Sequence, residues 1–253
     1  MERLIVIGVF DSGVGGLTVV RQLLKYFNSD IVYLGDTARL PYGIKSKDTV
    51  VKYSIQNAKF LENKNIDALV VACNTASSSA IEILKEELSI PVFGVIEPAA
   101  KKASKHKNIC VLGTESTISS NAYVKKIRKY NNSCKIKQIA CPLFVPLVES
   151  GWIDNEITYM VAKKYLSGDN SDVVILGCTH YPLLKGVIQD VLPNAELVDS
   201  GEALVESLSK YGELFSGRGV LECYTTDSKE KFSELGKLFL GKSFNGVKLT
   251  DLS

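Results

Sequence analysis

Two stretches of this chain share one plan: Val70-Val71-Ala72-Cys73-Asn74-Thr75-Ala76-Ser77-Ser78 and Val174-Ile175-Leu176-Gly177-Cys178-Thr179-His180-Tyr181-Pro182. Each is a β-branched apolar run ending in a small residue, then a cysteine, then hydrogen-bonding residues at which a helix can begin. The two cysteines stand 105 positions apart. A helix N-terminus is expected to draw a thiol pKa below its free value of about 8.5 and to leave the thiolate accessible. Paired thiols facing one carbon can remove a proton from one side and return it on the other. A free cysteine is ordinarily a small buried hydrophobe. That bland reading holds for Cys110, Cys134, Cys141 and Cys223, which lack the doubled context.

Other chemistry-bearing residues cluster around the same runs. His180, two residues after Cys178, can polarise or relay its proton, although a lone histidine is more often structural. His106 lies in a lysine-rich stretch and reads as surface. Asp11 and Ser12 open the loop Asp11-Ser12-Gly13-Val14-Gly15-Gly16. Its glycines are compatible with a turn at positive φ. They do not match the dinucleotide spacing, and no lysine follows as a phosphate loop requires. Tyr42-Gly43 reads as a turn whose amide can bind a carboxylate. Asn74, Thr75, Thr114, Thr117 and Thr179 offer neutral donors suited to a small polar substrate. Glu149 is placed to meet an ammonium group, a solvated or salt-bridged glutamate being the ordinary alternative.

Positioning these residues requires a regular scaffold. The composition, 45% hydrophobic and 23% charged, is that of an ordinary globular protein. A net charge of +2 gives no case for nucleic acid or an acidic membrane as partner. The local lysine clusters at 101–107 and 125–129 read as solvated helix faces. No apolar run reaches the roughly 18 residues of a membrane span, and residues 8–16 do not read as a signal-peptide cleavage region. The cytoplasm is the expected location. Six cysteines without a CxxC pair and only two histidines suggest neither a disulfide framework nor a structural metal site.

Apolar strands alternate with helices almost throughout, predicting an α/β protein with mostly parallel sheets. Strands are predicted at 5–10, 31–34, 68–72 and 92–95, with helices at 16–27 and 48–63. A second series has strands at 109–112, 136–140, 173–176 and 197–198, and helices at 116–130, 155–166 and 202–211. The tail adds a strand at 221–225 and a helix at 230–240. Each polar motif follows a strand, so all are expected in one cleft outside the strands' carboxyl ends.

Taken together, Gly8-Val9-Phe10-Asp11-Ser12-Gly13-Val14-Gly15-Gly16, Gly35-Asp36-Thr37-Ala38-Arg39, Pro41-Tyr42-Gly43, Ala72-Cys73-Asn74-Thr75-Ala76-Ser77 and Gly94-Val95-Ile96-Glu97-Pro98 resemble glutamate racemases of the cofactor-independent aspartate/glutamate racemase superfamily. Leu176-Gly177-Cys178-Thr179-His180-Tyr181-Pro182-Leu183 and Asp199-Ser200-Gly201 complete the resemblance, which covers nearly the whole chain. It implies two pseudo-symmetric α/β domains with the active site in the cleft between them. Residues 1–95 with 208–253 would form the first domain and 96–207 the second. Also implied are a homodimer, no cofactor, and supply of D-glutamate for peptidoglycan. Cys73 and Cys178 would be the catalytic thiols, with Asp11 and His180 their respective helpers. Asp11, Ser12, Tyr42, Gly43, Asn74, Thr75, Thr179 and His180 would bind substrate.

Aspartate racemases usually carry a glutamate after the second Cys-Thr and a different opening motif, so His180 and Asp11-Ser12 favour glutamate. An aspartate or related amino-acid racemase remains the alternative within the class. A ligand-binding thiol redox module is the alternative outside it, and requires the two cysteine Cα atoms within about 7 Å.

Overall fold

The computed structural model describes residues 5–211, 215, 217–244 and 246–252. The nine predicted apolar runs become strands, and with one further short strand they make ten in two sheets among the described residues. β1 (Val6–Asp11), β2 (Asp30–Gly35), β3 (Ala68–Val71) and β4 (Val92–Gly94) belong to the first, and β5 (Asn108–Gly113), β6 (Lys135–Ala140), β7 (Val173–Gly177) and β8 (Glu196–Asp199) to the second. The tail strands β9 (Leu221–Thr225) and β10 (Lys248–Leu249) extend the first sheet beside β2. All eight pairings are parallel. β3 and β7 are buried along their whole length, as expected of central strands covered on both faces. β6, at an edge, carries the exposed Lys135 and Lys137, which discourage further pairing.

The strand order is β10-β9-β2-β1-β3-β4 in the first sheet and β6-β5-β7-β8 in the second. Without β9 and β10, the first reads 2-1-3-4 and the second repeats it as 6-5-7-8. β1 therefore corresponds to β5, and β3 to β7. The strands that lead into Cys73 and Cys178 occupy equivalent places. In each sheet the order reverses at the central strand, and the crevice outside that point is where open α/β sheets bind ligands.

Helices cover these sheets. α1 (Leu17–Phe27) buries Leu17, Val20 and Leu23 and exposes Tyr26. α2 (Lys47–Glu62), α3 (Asn74–Glu87), α4 (Ile96–Ala103), α5 (Glu115–Ser119) and α6 (Ala122–Tyr130) follow. The continuous helix expected over 116–130 is broken between α5 and α6, where Asn121 takes a left-handed conformation with φ of 54°. Asparagine tolerates that region better than most residues. α7 (Phe144–Glu149), α8 (Glu156–Leu166), α9 (Lys185–Val191), α10 (Ser200–Leu208) and α11 (Lys229–Leu240) complete the set that matters here. α4, α7, α9 and β10 are too short for the sequence pattern to have announced them. Among the described residues no helix is long and apolar enough to cross a membrane.

One apolar core runs through both sheets. Ile7, Val9 and Val70 of the first share it with Leu112, Val174 and Leu176 of the second, joined by Leu17 and Val20 of α1, Leu204 and Leu208 of α10, and Phe232 and Phe239 of α11. Burying one such side chain is worth about 1.5–3 kcal/mol. The exposed Lys126–Glu82 pair between α6 and α3 is worth about 0–1 kcal/mol. Apolar packing thus decides how the sheets meet.

The tail is held to the first sheet by Asp30, whose carboxylate accepts the backbone N–H groups of Arg218 at 2.9 Å and Val220 at 3.0 Å. Burial works against the charge, but these amides and the Arg218 guanidinium hold the carboxyl below the usual range. Its contribution is therefore complete above the unfolded pKa of about 3.9 and is lost as pH falls through the lower folded value. Asp30→Ala leaves two donors without an acceptor and is expected to cost about 1–3 kcal/mol in urea unfolding at neutral pH. The difference from the parent protein should shrink as the pH falls below about 4.

Candidate active site

The carboxyl ends of β1, β3, β5, β6 and β7 open onto one cavity of about 400 Å³. It is lined by Ser12, Tyr42, Gly43, Cys73, Asn74, Thr75, Thr114, Glu149, Cys178, Thr179 and His180 among others. Cavities of about 440 and 660 Å³ elsewhere contain neither cysteine nor histidine, so chemistry and not size singles this one out. Two residues anticipated at the site lie behind its wall. Asp11 is fully buried beneath the β1 turn, and Thr117 is buried under Thr75 and Thr114.

Cys73 caps the N-terminus of α3, and its sulfur accepts the Ala76 N–H at 3.4 Å. Its thiol donates towards Ser12 Oγ at 3.7 Å. The sequence leads one to expect a depressed pKa here. Instead, burial and the charge of Asp11 outweigh the Ala76 amide and push the thiol up to about 12. The helix N-terminus is present, but removal from water costs the thiolate more than one turn of amides returns.

Cys178 has different surroundings. Its sulfur lies 3.8 Å from His180 Nδ1, and His180 Nε2 lies 3.0 Å from Glu149 Oε1. Burial disfavours the imidazolium, yet the Cys178 sulfur on one ring nitrogen and the Glu149 carboxylate on the other hold its pKa at about 10. Glu149 in turn is held below the usual carboxylate range: burial raises its pKa, and the His180 bond more than offsets this. The ring of Phe239, from α11, meets the imidazole edge-on at 4.9 Å. Asp11 reaches across the seam, accepting from Gly13 N–H at 3.0 Å and Thr179 Oγ1 at 3.4 Å. Burial raises its pKa against the pull of His180 and these donors.

The neutral donors are themselves ordered. Thr75, Thr114 and Thr117 form a hydroxyl triangle with oxygens 3.0 to 3.2 Å apart. Asn74 Nδ2 donates to the Tyr123 hydroxyl at 2.8 Å and to Ser200 Oγ at 3.3 Å. Asn74 Oδ1 is buried with no hydrogen-bond partner among the described residues. Tyr42 presents its ring to the cavity, but its hydroxyl donates to the buried carboxylate of Asp36. Arg39 binds that same carboxylate through Nε at 2.7 Å, and Thr226 from the tail binds it at 3.1 Å. This anchor holds the Leu40–Ile44 segment against the cavity.

Sequence reasoning overlooked the apolar wall of Leu40, Ile44, Pro142, Val145 and Pro146, and the third cysteine, Cys141. Cys141 follows β6, so the strand-end rule that found the others would have found it. The glycines of the opening loop are at ordinary φ. They serve close approach: a Cβ on Gly16 would stand 2.5 Å from Asp11 Cβ and 2.8 Å from the Tyr33 hydroxyl. Among the described residues no three His, Cys, Asp or Glu side chains are grouped to hold a metal ion.

The site therefore places two thiols with unlike partners on the walls of one cavity, backed by neutral donors and an apolar lining. Comparison with known proteins gives the family. The Asp/Glu/hydantoin racemase family model matches residues 7–208. A glutamate racemase from Aquifex pyrophilus is 50% identical over 251 residues, 97% of each chain. One from Sulfurihydrogenibium is 46% identical over 255 residues, covering 97% of this chain and 98% of the relative. The crystal structure of glutamate racemase from Francisella tularensis in complex with D-glutamate superimposes with a TM-score of 0.92 at 36% identity over 98% of both chains. With two matching sheets, two strand-end cysteines and a family match across most of its length, the chain belongs to the Asp/Glu/hydantoin racemase family.

Proposed function

We infer that this chain is an isomerase that interconverts L- and D-glutamate, the activity named for its relatives. The observation that carries the mechanism is the unequal environment of two equivalent thiols. Cys73 has its pKa raised to about 12 and is a neutral thiol at pH 7. The role of base is assigned to Cys178, whose sulfur faces the charged imidazole of His180 at 3.8 Å. The resting site thus holds one base and one acid. With Cys178 addressing L-glutamate, its thiolate takes the α-proton and the electron pair remains on the α-carbon. The Cys73 thiol then gives its proton to the opposite face, yielding D-glutamate, a Cys73 thiolate and a Cys178 thiol. The reverse reaction starts from that second state, and proton exchange restores the first.

The α-proton is very weakly acidic, so the site must stabilise developing negative charge with donors already in place. Ser12, Thr75, Thr114, Thr179 and the Gly43 amide are read as the groups that hold the carboxylates. The unpaired Asn74 Oδ1 is read as an acceptor for the ammonium group. Glu149 was expected to meet that ammonium; with Oε1 on His180, it is read instead as the group that orients and charges the imidazole. The same reading places the enzyme in the cytoplasm, where six free thiols persist. It also retains the homodimer that the family resemblance implies, and supply of D-glutamate to peptidoglycan as the role. Residues 1–95 with 208–253 and residues 96–207 remain the proposed domain division. A redox pair is disfavoured because each of the two cysteines has its own proton partner.

Cys73→Ala and Cys178→Ala should each abolish net racemisation without added cofactor. In D₂O, residual α-proton exchange is expected with D-glutamate for Cys178→Ala and with L-glutamate for Cys73→Ala. Near-normal turnover by either folded variant would refute the two-thiol mechanism; reversed exchange would refute only the allocation of faces.

The pH profile of kcat/KM should be a bell whose limbs belong to the coupled thiol pair. Acid removes the thiolate and alkali removes the remaining thiol proton. The enantiomers have equal free energy in water, so the profiles measured from both directions must coincide. A rate that rises and stays level in alkali, with the protein folded, would contradict this.

Tyr42→Phe keeps the ring at the cavity and removes the hydroxyl from Asp36. A loss of about 1–3 kcal/mol in unfolding free energy is expected, with KM for glutamate essentially unchanged. A large rise in KM without loss of stability would instead place that hydroxyl on the substrate.

A further inference from the structure

The loop between β1 and α1 presses on the second sheet at one point. A Cβ built on Gly15 would stand 2.3 Å from Thr179 Oγ1 and 2.6 Å from both Nδ1 and Cε1 of His180. Backbone conformation does not call for glycine here, since Gly15 is not at positive φ. Space does. Three residues on, Thr18 Oγ1 lies 2.9 Å from the Gly15 carbonyl and 3.1 Å from the Thr179 carbonyl. The first turn of α1 is thereby clasped to the turn that carries Cys178, Thr179 and His180. The imidazole is bounded on three sides: Gly15 at its Nδ1–Cε1 edge, Glu149 at Nε2, and the Phe239 ring against it. The edge Gly15 faces includes Nδ1, the atom nearest the Cys178 sulfur.

We propose that Gly15 is a positioning residue for His180: its bare Cα is the stop against which the imidazole stands between Cys178 and Glu149, so that docking of the first sheet on the second sets the geometry of the Cys178 base. A side chain at position 15 must move Thr179 Oγ1 and the imidazole away from Gly15, because the atoms it would strike belong to them. The consequence falls on the proton transfer served by Cys178 and not on that served by Cys73, whose sulfur contacts Ser12 and Ala76. The catalytic part of this rests on the two-thiol reading above; the positional part does not.

The test is Gly15→Ala. With only His106 and His180 in the chain, the Cε1–H resonance of His180 can be assigned by comparison with a His106→Gln variant and titrated by NMR. The groups facing His180 are Cys178, Glu149 and Asp11, with Lys231 acting on Glu149. Displacement from Cys178 and Glu149 should lower its midpoint by about one pH unit or more towards the ordinary histidine value. kcat/KM should fall about 10- to 100-fold, the usual effect of a misplacement near 1 Å. The primary isotope effect on kcat/KM should rise with α-deuterated L-glutamate, whose proton Cys178 takes, and fall with α-deuterated D-glutamate. Combined with His180→Asn, the change should add no further loss.

An unchanged titration with unchanged isotope effects, or a rate loss fully additive with His180→Asn, would overturn the proposal. Should Gly15→Ala not fold, Thr18→Val decides. It removes the clasp without adding volume and should shift the two isotope effects in the same opposed directions; no shift refutes the proposal. If the wild-type protein proves not to racemise glutamate, the functional reading fails, and the titration of Gly15→Ala still decides the positional claim.

Discussion

A thiol, an imidazole and a carboxylate are linked in that order at the junction of the two sheets, with His180 and Cys178 almost wholly removed from water. Charge buried without a partner costs several kcal/mol, while charge that is paired and hydrogen-bonded can persist. The pairing keeps a charged imidazole beside the Cys178 sulfur in a site largely closed to water. Water around the cavity would relieve the burial cost, but it would also weaken every donor aimed at the reacting carbon. The rest of the structure follows from keeping this linkage intact and dry. The tail contributes Phe239 to its flank, and the apolar core common to both sheets holds its two sides together.

The two halves show how one plan supplies two chemistries. Strand order 2-1-3-4 and strand order 6-5-7-8 deliver a cysteine from the equivalent strand. The partners differ. On the first sheet Cys73 receives an amide and a hydroxyl, neither of which offsets its burial and the nearby Asp11 carboxylate. On the second, Cys178 receives an imidazole charged from behind by Glu149. Symmetric backbone thus carries asymmetric electrostatics. A reaction that needs one thiol and one thiolate at the same moment requires that difference, because two thiols in identical settings would start with no base.

Cross-sheet contacts near the site are of two kinds. Apolar ones supply most of the free energy of docking, as the magnitudes of side-chain burial and exposed ion pairs require. Polar ones are few and specific: Thr18 on the Thr179 carbonyl, Asp11 on the Thr179 hydroxyl, Asn74 on Tyr123 and Ser200, and Thr75 on Thr114 and Thr117. Each ties a residue beside one thiol to an element of the opposite sheet. The donors that would surround substrate are therefore set by how the sheets meet, not by either sheet alone.

By itself, the sequence determined the fold class, the two series of strands and the strand-end cysteines, because these follow from hydrophobic periodicity and from residues local in the chain. Buried parallel strands announce themselves as apolar runs such as Val70-Val71 and Val174-Ile175-Leu176. Helix limits were legible where caps are clear, as at Asn155, and wrong where Asn121 breaks the path by going left-handed. Residue type and position after a strand also picked out most of the cavity wall. Tertiary structure alone decided protonation and partnership. It raised Cys73 where a helix N-terminus suggested lowering, turned the Tyr42 hydroxyl away to Asp36, set Asp11 and Thr117 behind the wall, and brought Cys141 to it. The physical reason is that desolvation and charge pairing depend on what lies within a few ångströms in space. Here those neighbours come from both sheets and from residues far apart in the chain, 168 positions for Asp11 and Thr179 and 190 for Asp36 and Thr226.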